Sequence, residues 1–181
     1  MASEGRIVVH ADESCLGNGR EGDNPGGAGG LVEITRGGEV SRRDYFVSEP
    51  ATTNNRMALR SAITALELLG ANGRSLALEF VSDSNYLVKG MNEWVPGWRA
   101  RGWRRKGGEL QNVELWQELS DIAEPHDIRW RWVRGHADDP RNSYADFLAT
   151  KAARDQVSSD GLVESGYAEW LVAQQAKGLF L

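Results

Sequence analysis

From Arg6 to Asp12 the chain alternates and is rich in β-branched residues, a pattern that predicts a strand. The glycine-rich stretch from Gly17 to Gly30 is too poor in helix formers for a helix and is expected to be an ordered loop. Residues 28–36 and 39–48 read as two short strands joined at Gly37-Gly38, a hairpin turn. The period changes at Thr53. Leu59, Ala62, Ile63, Leu66 and Leu69 recur at helical spacing, with Thr53 or Asn54 as N-cap and Gly70 near the end. Leu76 to Ser82 is a compact apolar strand, and residues 84–97 suggest short helical pieces stopped by Pro96. Leu115, Leu119, Ile122 and Ala123 mark a second long helix closed by Pro125. Ile128 to Arg134 is a strand with unlike faces, and Asp139 to Arg154 a third helix with Pro140 in its first turn.

This order predicts an α/β domain with a mixed sheet, an antiparallel meander extended by parallel strands through helical crossovers. Residues 1–5 are expected to be a loose start, 6–156 the domain, and 157–181 an extension of unassigned role. Ser158, Ser159 and Gly161 suggest a linker in that extension, before an amphipathic helix around Tyr167, Trp170 and Leu171.

Composition narrows the class. At 181 residues, 40% hydrophobic and 26% charged, the chain can build one ordinary core, so wholesale disorder is excluded. No apolar run reaches membrane-spanning length and no signal-peptide stretch opens the sequence, so a cytoplasmic protein without membrane contact is expected. A lone cysteine, Cys15, excludes a disulfide framework and a cysteine-rich zinc site. Net charge is −5, so any nucleic-acid binding must come from a local basic patch.

Such a patch exists. Residues 98–106 carry Arg99, Arg101, Arg104, Arg105 and Lys106 with no acid, interleaved with Trp94, Trp98 and Trp103. A basic, aromatic surface suits a nucleic-acid backbone. Three aspartates fall where ligands gather in such sheets: Asp12 and Asp83 at strand ends, Asp146 on the last helix. Each alone reads equally as a cap or a solvated charge. Together, without histidine or cysteine companions, they suit a hard, oxygen-loving ion such as Mg2+.

The residues around these aspartates carry a family resemblance. Ala11-Asp12-Glu13-Ser14-Cys15-Leu16-Gly17-Asn18 resembles the first motif of the type 1 ribonucleases H. So do Thr53-Asn54-Asn55-Arg56-Met57, Ser82-Asp83-Ser84 with Tyr86, and Trp132-Val133-Arg134-Gly135-His136-Ala137 leading to Asp146, all in the family's order from Arg6 to Arg154. The resemblance implies a ribonuclease H-like fold with a five-stranded mixed sheet flanked by helices. It implies a monomer that hydrolyses the RNA strand of RNA/DNA hybrids with two Mg2+ ions, Mn2+ being a substitute. Carried over, Asp12 would bridge both ions, Asp146 would hold the ion that activates water, and Asp83 the leaving-group ion. His136 would assist proton transfer or product departure.

One position departs from the family. A glutamate is expected directly after Asn-Asn-Arg-Met, and this chain has Ala58. A methyl group neither coordinates a metal nor accepts a hydrogen bond, so the expectation is a chain that binds hybrid and cleaves it poorly, with Ala58→Glu raising the rate greatly. Three explanations stand open: an introduced change that traps substrate, a natural hybrid-binding protein that does not cut, or compensation by Glu13. Strand alternation would send Glu13 to the face opposite Asp12.

For the duplex, the resemblance implies that Thr53 and Arg56 take a DNA phosphate at a helix start, a natural anion site, while Asn54 and Asn55 read minor-groove edges. Asn18, Asn85 and the backbone near Cys15 would face the RNA strand and its 2′-hydroxyls. Trp94 and the 98–106 cations would grip the DNA strand, with Trp98 and Trp103 as structural candidates. His10, Trp116, Trp130 and Trp132 read as packing residues, and His126 as uninformative.

Overall fold

The computed structural model describes residues 5–17, 24–104, 107–135 and 138–181. Its elements are β1 (Arg6–Cys15), β2 (Gly26–Arg36), β3 (Glu39–Glu49), α1 (Asn54–Leu69), β4 (Ala77–Ser82), α2 (Asn85–Lys89), α3 (Val95–Ala100), α4 (Val113–Ala123), β5 (Asp127–Trp132), α5 (Pro140–Asp155), β6 (Val163–Glu164) and α6 (Tyr167–Ala176). The strands form one mixed sheet in the order β5-β4-β1-β2-β3-β6. β1, β2 and β3 are an antiparallel meander, and β4 and β5 continue from β1 in parallel. The expected sheet had five strands; the sixth, β6, is two residues that pair with Arg43 and Asp44 on the outer edge of β3.

The hairpin turn falls at Gly37 and Gly38, both at positive φ (+56° and +83°), which glycine adopts at no steric cost. The expected loop reaching Gly30 is corrected. Gly26 to Gly30 lie inside β2, and a side chain at Gly27 or Gly29 would collide with the backbone of α5 at Ala149 and Leu148. The glycines let the helix sit directly on the sheet. Pro96 does not stop a helix either: it sits in the first turn of α3, into which the chain runs without leaving helical geometry from a π-helical turn over Gly90–Trp94.

Thr53 caps α1, its hydroxyl accepting from the Arg56 N–H at 3.2 Å, and Gly70 ends it. The buried face of α1 (Leu59, Ala62, Ile63, Leu66) packs with α4 and its fully buried Trp116 against Val9, Ala11 and Phe80 of the sheet. Each large aliphatic side chain so buried stabilises the fold by about 1.5–3 kcal/mol. The opposite sheet face packs a smaller cluster, Leu31 with Tyr144 and Leu148 of α5 and Tyr167 of α6. The 157–181 segment therefore covers the α5 layer and the β3 edge of the domain. No helix among the described residues is long and apolar enough to cross a membrane.

Candidate active site

Ala11 and Ser82 are register partners on the adjacent parallel strands β1 and β4. Asp12 and Asp83, each one residue further, therefore leave the same edge of the sheet side by side. Asp12 is buried, and its Oδ1 accepts from the Glu13 N–H at 2.8 Å. Asp83 is fixed from the β5 side: Trp132 donates its indole N–H to the Asp83 carbonyl at 3.1 Å. A Cβ at Gly135 would lie 2.8 Å from Asp83 Oδ2, so the chain after β5 passes against this carboxylate because residue 135 has no side chain. Trp132, read as core or half-buried, is 47% exposed and so lies at the open end of that reading, whereas Trp130 packs with its ring 5.1 Å from Phe80.

Glu13 joins the pair. One ligand oxygen from each of Asp12, Glu13 and Asp83 lies within 4.8 Å of the others. Register alternation holds through Cys15, so Glu13 shares parity with Ala11, which belongs to the same core cluster as Ala58 and Tyr45. Glu13 thus departs on the α1 side, where its charge is felt by buried Tyr45, and its long side chain still reaches the common edge. Ala58, only 1% exposed, is part of the apolar core beneath. Alternation does send Glu13 to the face opposite Asp12, and its reach to the common edge supplies the geometry that compensation, one of the three open explanations, requires.

Electrostatics mark the cluster as short of positive charge. Burial, then the charges of Asp83 and Glu13, push the Asp12 carboxyl up to about 9. Burial, then Asp83 and Asp146, push Glu13 up to about 8. Asp83 is raised by burial and by Asp146, against a hydrogen bond with Asp12. Asp146 lies exposed on the second turn of α5, outside the tight group but close enough to act on the other three. Oxygen donors crowded until they retain protons fit a divalent cation, whose charge would replace those protons.

Thr53, Asn54, Asn55 and Arg56 form the start of α1, and Arg56 reaches Glu49 only at 3.9 Å. Asn85 is exposed at the first position of α2. Cys15 is half-buried, its thiol donating to the Thr52 carbonyl at 3.5 Å. Trp94, Trp98 and Arg101 line a cleft of about 540 Å³ with Tyr86 and Gln111. Trp98 bridges Trp94, Trp103 and Trp116 in one cluster of tilted and edge-on rings. Arg99 turns away from this cleft and binds α4 through Ser120 Oγ (3.0 Å) and Glu124 Oε2 (3.1 Å). Arg104 is exposed. Asn18, Arg105, Lys106 and His136 lie outside the described residues.

The half-buried His126 has a structural task, accepting the Leu76 N–H on Nδ1 at 3.1 Å. The buried His10 faces Glu33, whose carboxylate also binds Arg42 (2.9 Å) and Arg141 (2.6 Å). Pattern reading missed this group entirely, since nothing in local sequence links positions 10, 33, 42 and 141.

Residues 4–154 match the RNase H family. The chain is 40% identical over 146 residues to a ribonuclease H of Cupriavidus necator, covering 80% of this chain and 93% of that protein. It is 39% identical over 153 residues to the ribonuclease HI of Pseudomonas aeruginosa PAO1, covering 83% and 95%. Among solved structures, it resembles LC9-RNase H1, described as a type 1 RNase H with the type 2 active-site motif, at 52% identity and TM-score 0.89, covering 97% of this chain and 86% of that one.

Proposed function

The chain belongs to the RNase H family, and on that premise we propose that it hydrolyses the RNA strand of RNA/DNA hybrids, with Glu13 supplying the carboxylate that Ala58 lacks. The observation that carries this reading is the convergence of Asp12, Glu13 and Asp83 within 4.8 Å. Three carboxylates give −3 against the +4 of two Mg2+ ions; Glu13 restores the fourth negative charge. It does so from the α1 side, the side from which a glutamate at position 58 would reach. The relative described as carrying the type 2 motif in a type 1 protein is consistent with a site that departs from the type 1 pattern.

Asp12, Glu13, Asp83 and Asp146 would hold Mg2+. The bound metal supplies a water of lowered pKa and neutralises the charge that builds on the phosphate. The remaining work falls to the protein. Trp132 and Gly135 hold Asp83 in place from behind. His136, by resemblance, exchanges a proton with the departing oxygen. The α1 start, with Thr53, Asn54, Asn55 and Arg56, takes a DNA phosphate and the adjoining minor groove. The aromatic cleft of Trp94 and Trp98 with Arg101 and Arg104 receives the DNA backbone further along, while Arg99 braces that segment on α4. Asn18 and Asn85 face the RNA 2′-hydroxyls.

Incubation with Mg2+ and end-labelled RNA/DNA, DNA/DNA, RNA/RNA and single-stranded RNA tests this. Cleavage confined to the RNA strand of the hybrid is expected; cleavage of DNA/DNA, or an intact hybrid, overturns it. Ala58 favours a second reading, a protein that binds hybrid without cutting. Tight binding with no Mg2+-dependent cleavage would establish that one.

A further inference from the structure

The face of α5 that presents Asp146 continues into an open groove of about 430 Å³, whose far wall is built by the C-terminal segment. Phe147, Lys151 and Arg154 line it from α5, and Trp170 and Phe180 from the segment after residue 156. Lys151 and Arg154 lie about 7.5 Å and 12 Å along the helix axis from Asp146. Both are exposed, and the Arg154 pairing with Asp155 (3.1 Å) is a surface contact of the kind that exchanges readily for another anion. The rings form a row: Phe147 to Trp170 at 6.3 Å, Trp170 to Phe180 at 5.8 Å. Phe180 is held there by a specific turn. Its φ is +54°, unusual for a bulky residue, and its carbonyl accepts from Gln175 Nε2 at 3.3 Å while the Leu179 N–H bonds to Gln174 O at 3.1 Å.

We infer that this groove binds single-stranded RNA next to the cleavage site, making the chain favour hybrids whose RNA strand runs on unpaired. The inference rests on the hydrolase reading above. Two cations and a row of aromatic faces form a surface for a phosphate backbone with unstacked bases, in a protein of net charge −5. The groove is lined by Asp146, whose charge acts on the carboxylate cluster, so a strand lying in it is continuous with the phosphate being cut. It also lies on the α5 face of the sheet, opposite the α1 face that carries the proposed DNA contacts. Continuity with the phosphate being cut assigns the occupant to the RNA strand. Paired bases hide their faces, so the rings act only on an unpaired extension.

Binding by fluorescence anisotropy, with Ca2+ in place of Mg2+ to hold the substrate intact, compares a short blunt hybrid with versions extended by single-stranded RNA at the 5′ or 3′ end. An abasic RNA extension and an extension of the DNA strand serve as controls. One RNA extension should tighten binding roughly fivefold or more, the abasic and DNA-strand extensions less than half as much on a logarithmic scale. In the Phe180→Ala/Lys151→Ala variant the ratio of extended to blunt affinity should fall to about one. Equal affinity for all hybrids, an abasic gain equal to the full one, or a ratio that survives the double substitution overturns the groove while leaving the hydrolase reading intact. No binding of the blunt hybrid overturns both.

Discussion

Asp12 and Asp83 stand side by side because each follows one of two register partners, Ala11 and Ser82, in neighbouring parallel strands. Two carboxylates fixed in this way by backbone pairing cannot move apart to relieve their repulsion. Their proximity is a cost to the fold without a cation, and on the reading proposed above it is the cost that a bound Mg2+ ion would relieve.

Asp12→Asn tests that trade. The amide keeps the Oδ1 acceptor for the Glu13 N–H and removes the most strongly perturbed acid. An acid held above its unfolded pKa contributes stability at low pH that is lost as pH rises toward the folded value, here about 9 for Asp12 and about 8 for Glu13. At pH 8 the metal-free variant should therefore melt a few degrees higher than the parent, as expected for about 1 kcal/mol in a chain of this size. Its gain in Tm on adding Mg2+ should shrink. Scanning calorimetry with and without Mg2+ reads both; a variant less stable than the parent in EDTA would contradict the repulsion.

Glu33 behaves in the opposite sense. Burial alone would raise its pKa, but hydrogen bonds from His10, Arg141 and Arg42 outweigh burial and hold it at about 2. A depressed acid contributes stability above its unfolded pKa near 4.5, and that contribution is lost as pH falls from there toward 2. With the arginines partly exposed, the contribution at neutral pH is about 2 kcal/mol. Urea titrations of Glu33→Gln between pH 2.5 and pH 6 should show a flatter acid limb than the parent; parallel curves would remove Glu33 from the account.

Arg42 and Arg141, both bound to Glu33, also lie over the Tyr167 ring, at 5.1 and 5.9 Å. This joins the C-terminal segment to the start of α5. Tyr167→Ala should cost about 3–4 kcal/mol through the cavity and the lost cation–π contacts, and Tyr167→Phe less than about 1 kcal/mol. Equal denaturation midpoints for the alanine variant and the parent would show that the segment is not part of the folding unit.

The long elements were legible in the sequence because periodicity is local: α1, α4 and α5 fall where their apolar spacing predicts, and Thr53 and Asp139 cap as their types suggest. β2 was legible only from Ala28 onward. Glycine carries no strand signal, and the reason for Gly27 and Gly29 is the helix above them. β6, with two residues, is too short for any period. At the site, Asp12 and Asp83 could be read from their strand-end positions. Alternation gave the correct face for Glu13 but left its reach undecided, because parity fixes where a side chain starts and not how far a glutamate reaches around a strand end.

On the reading proposed above, Glu13 takes the role left open by Ala58. Single-turnover cleavage of an RNA/DNA hybrid in Mg2+, measured for the parent, Glu13→Gln and Ala58→Glu, tests it most directly. Expected are an active parent, a loss of about a hundredfold or more in Glu13→Gln, of the size seen when transition-state electrostatic stabilisation is removed, and no substantial gain in Ala58→Glu, which adds a further acid to a crowded, buried position. A nearly inactive parent that Ala58→Glu rescues, with Glu13→Gln making no difference, would contradict it.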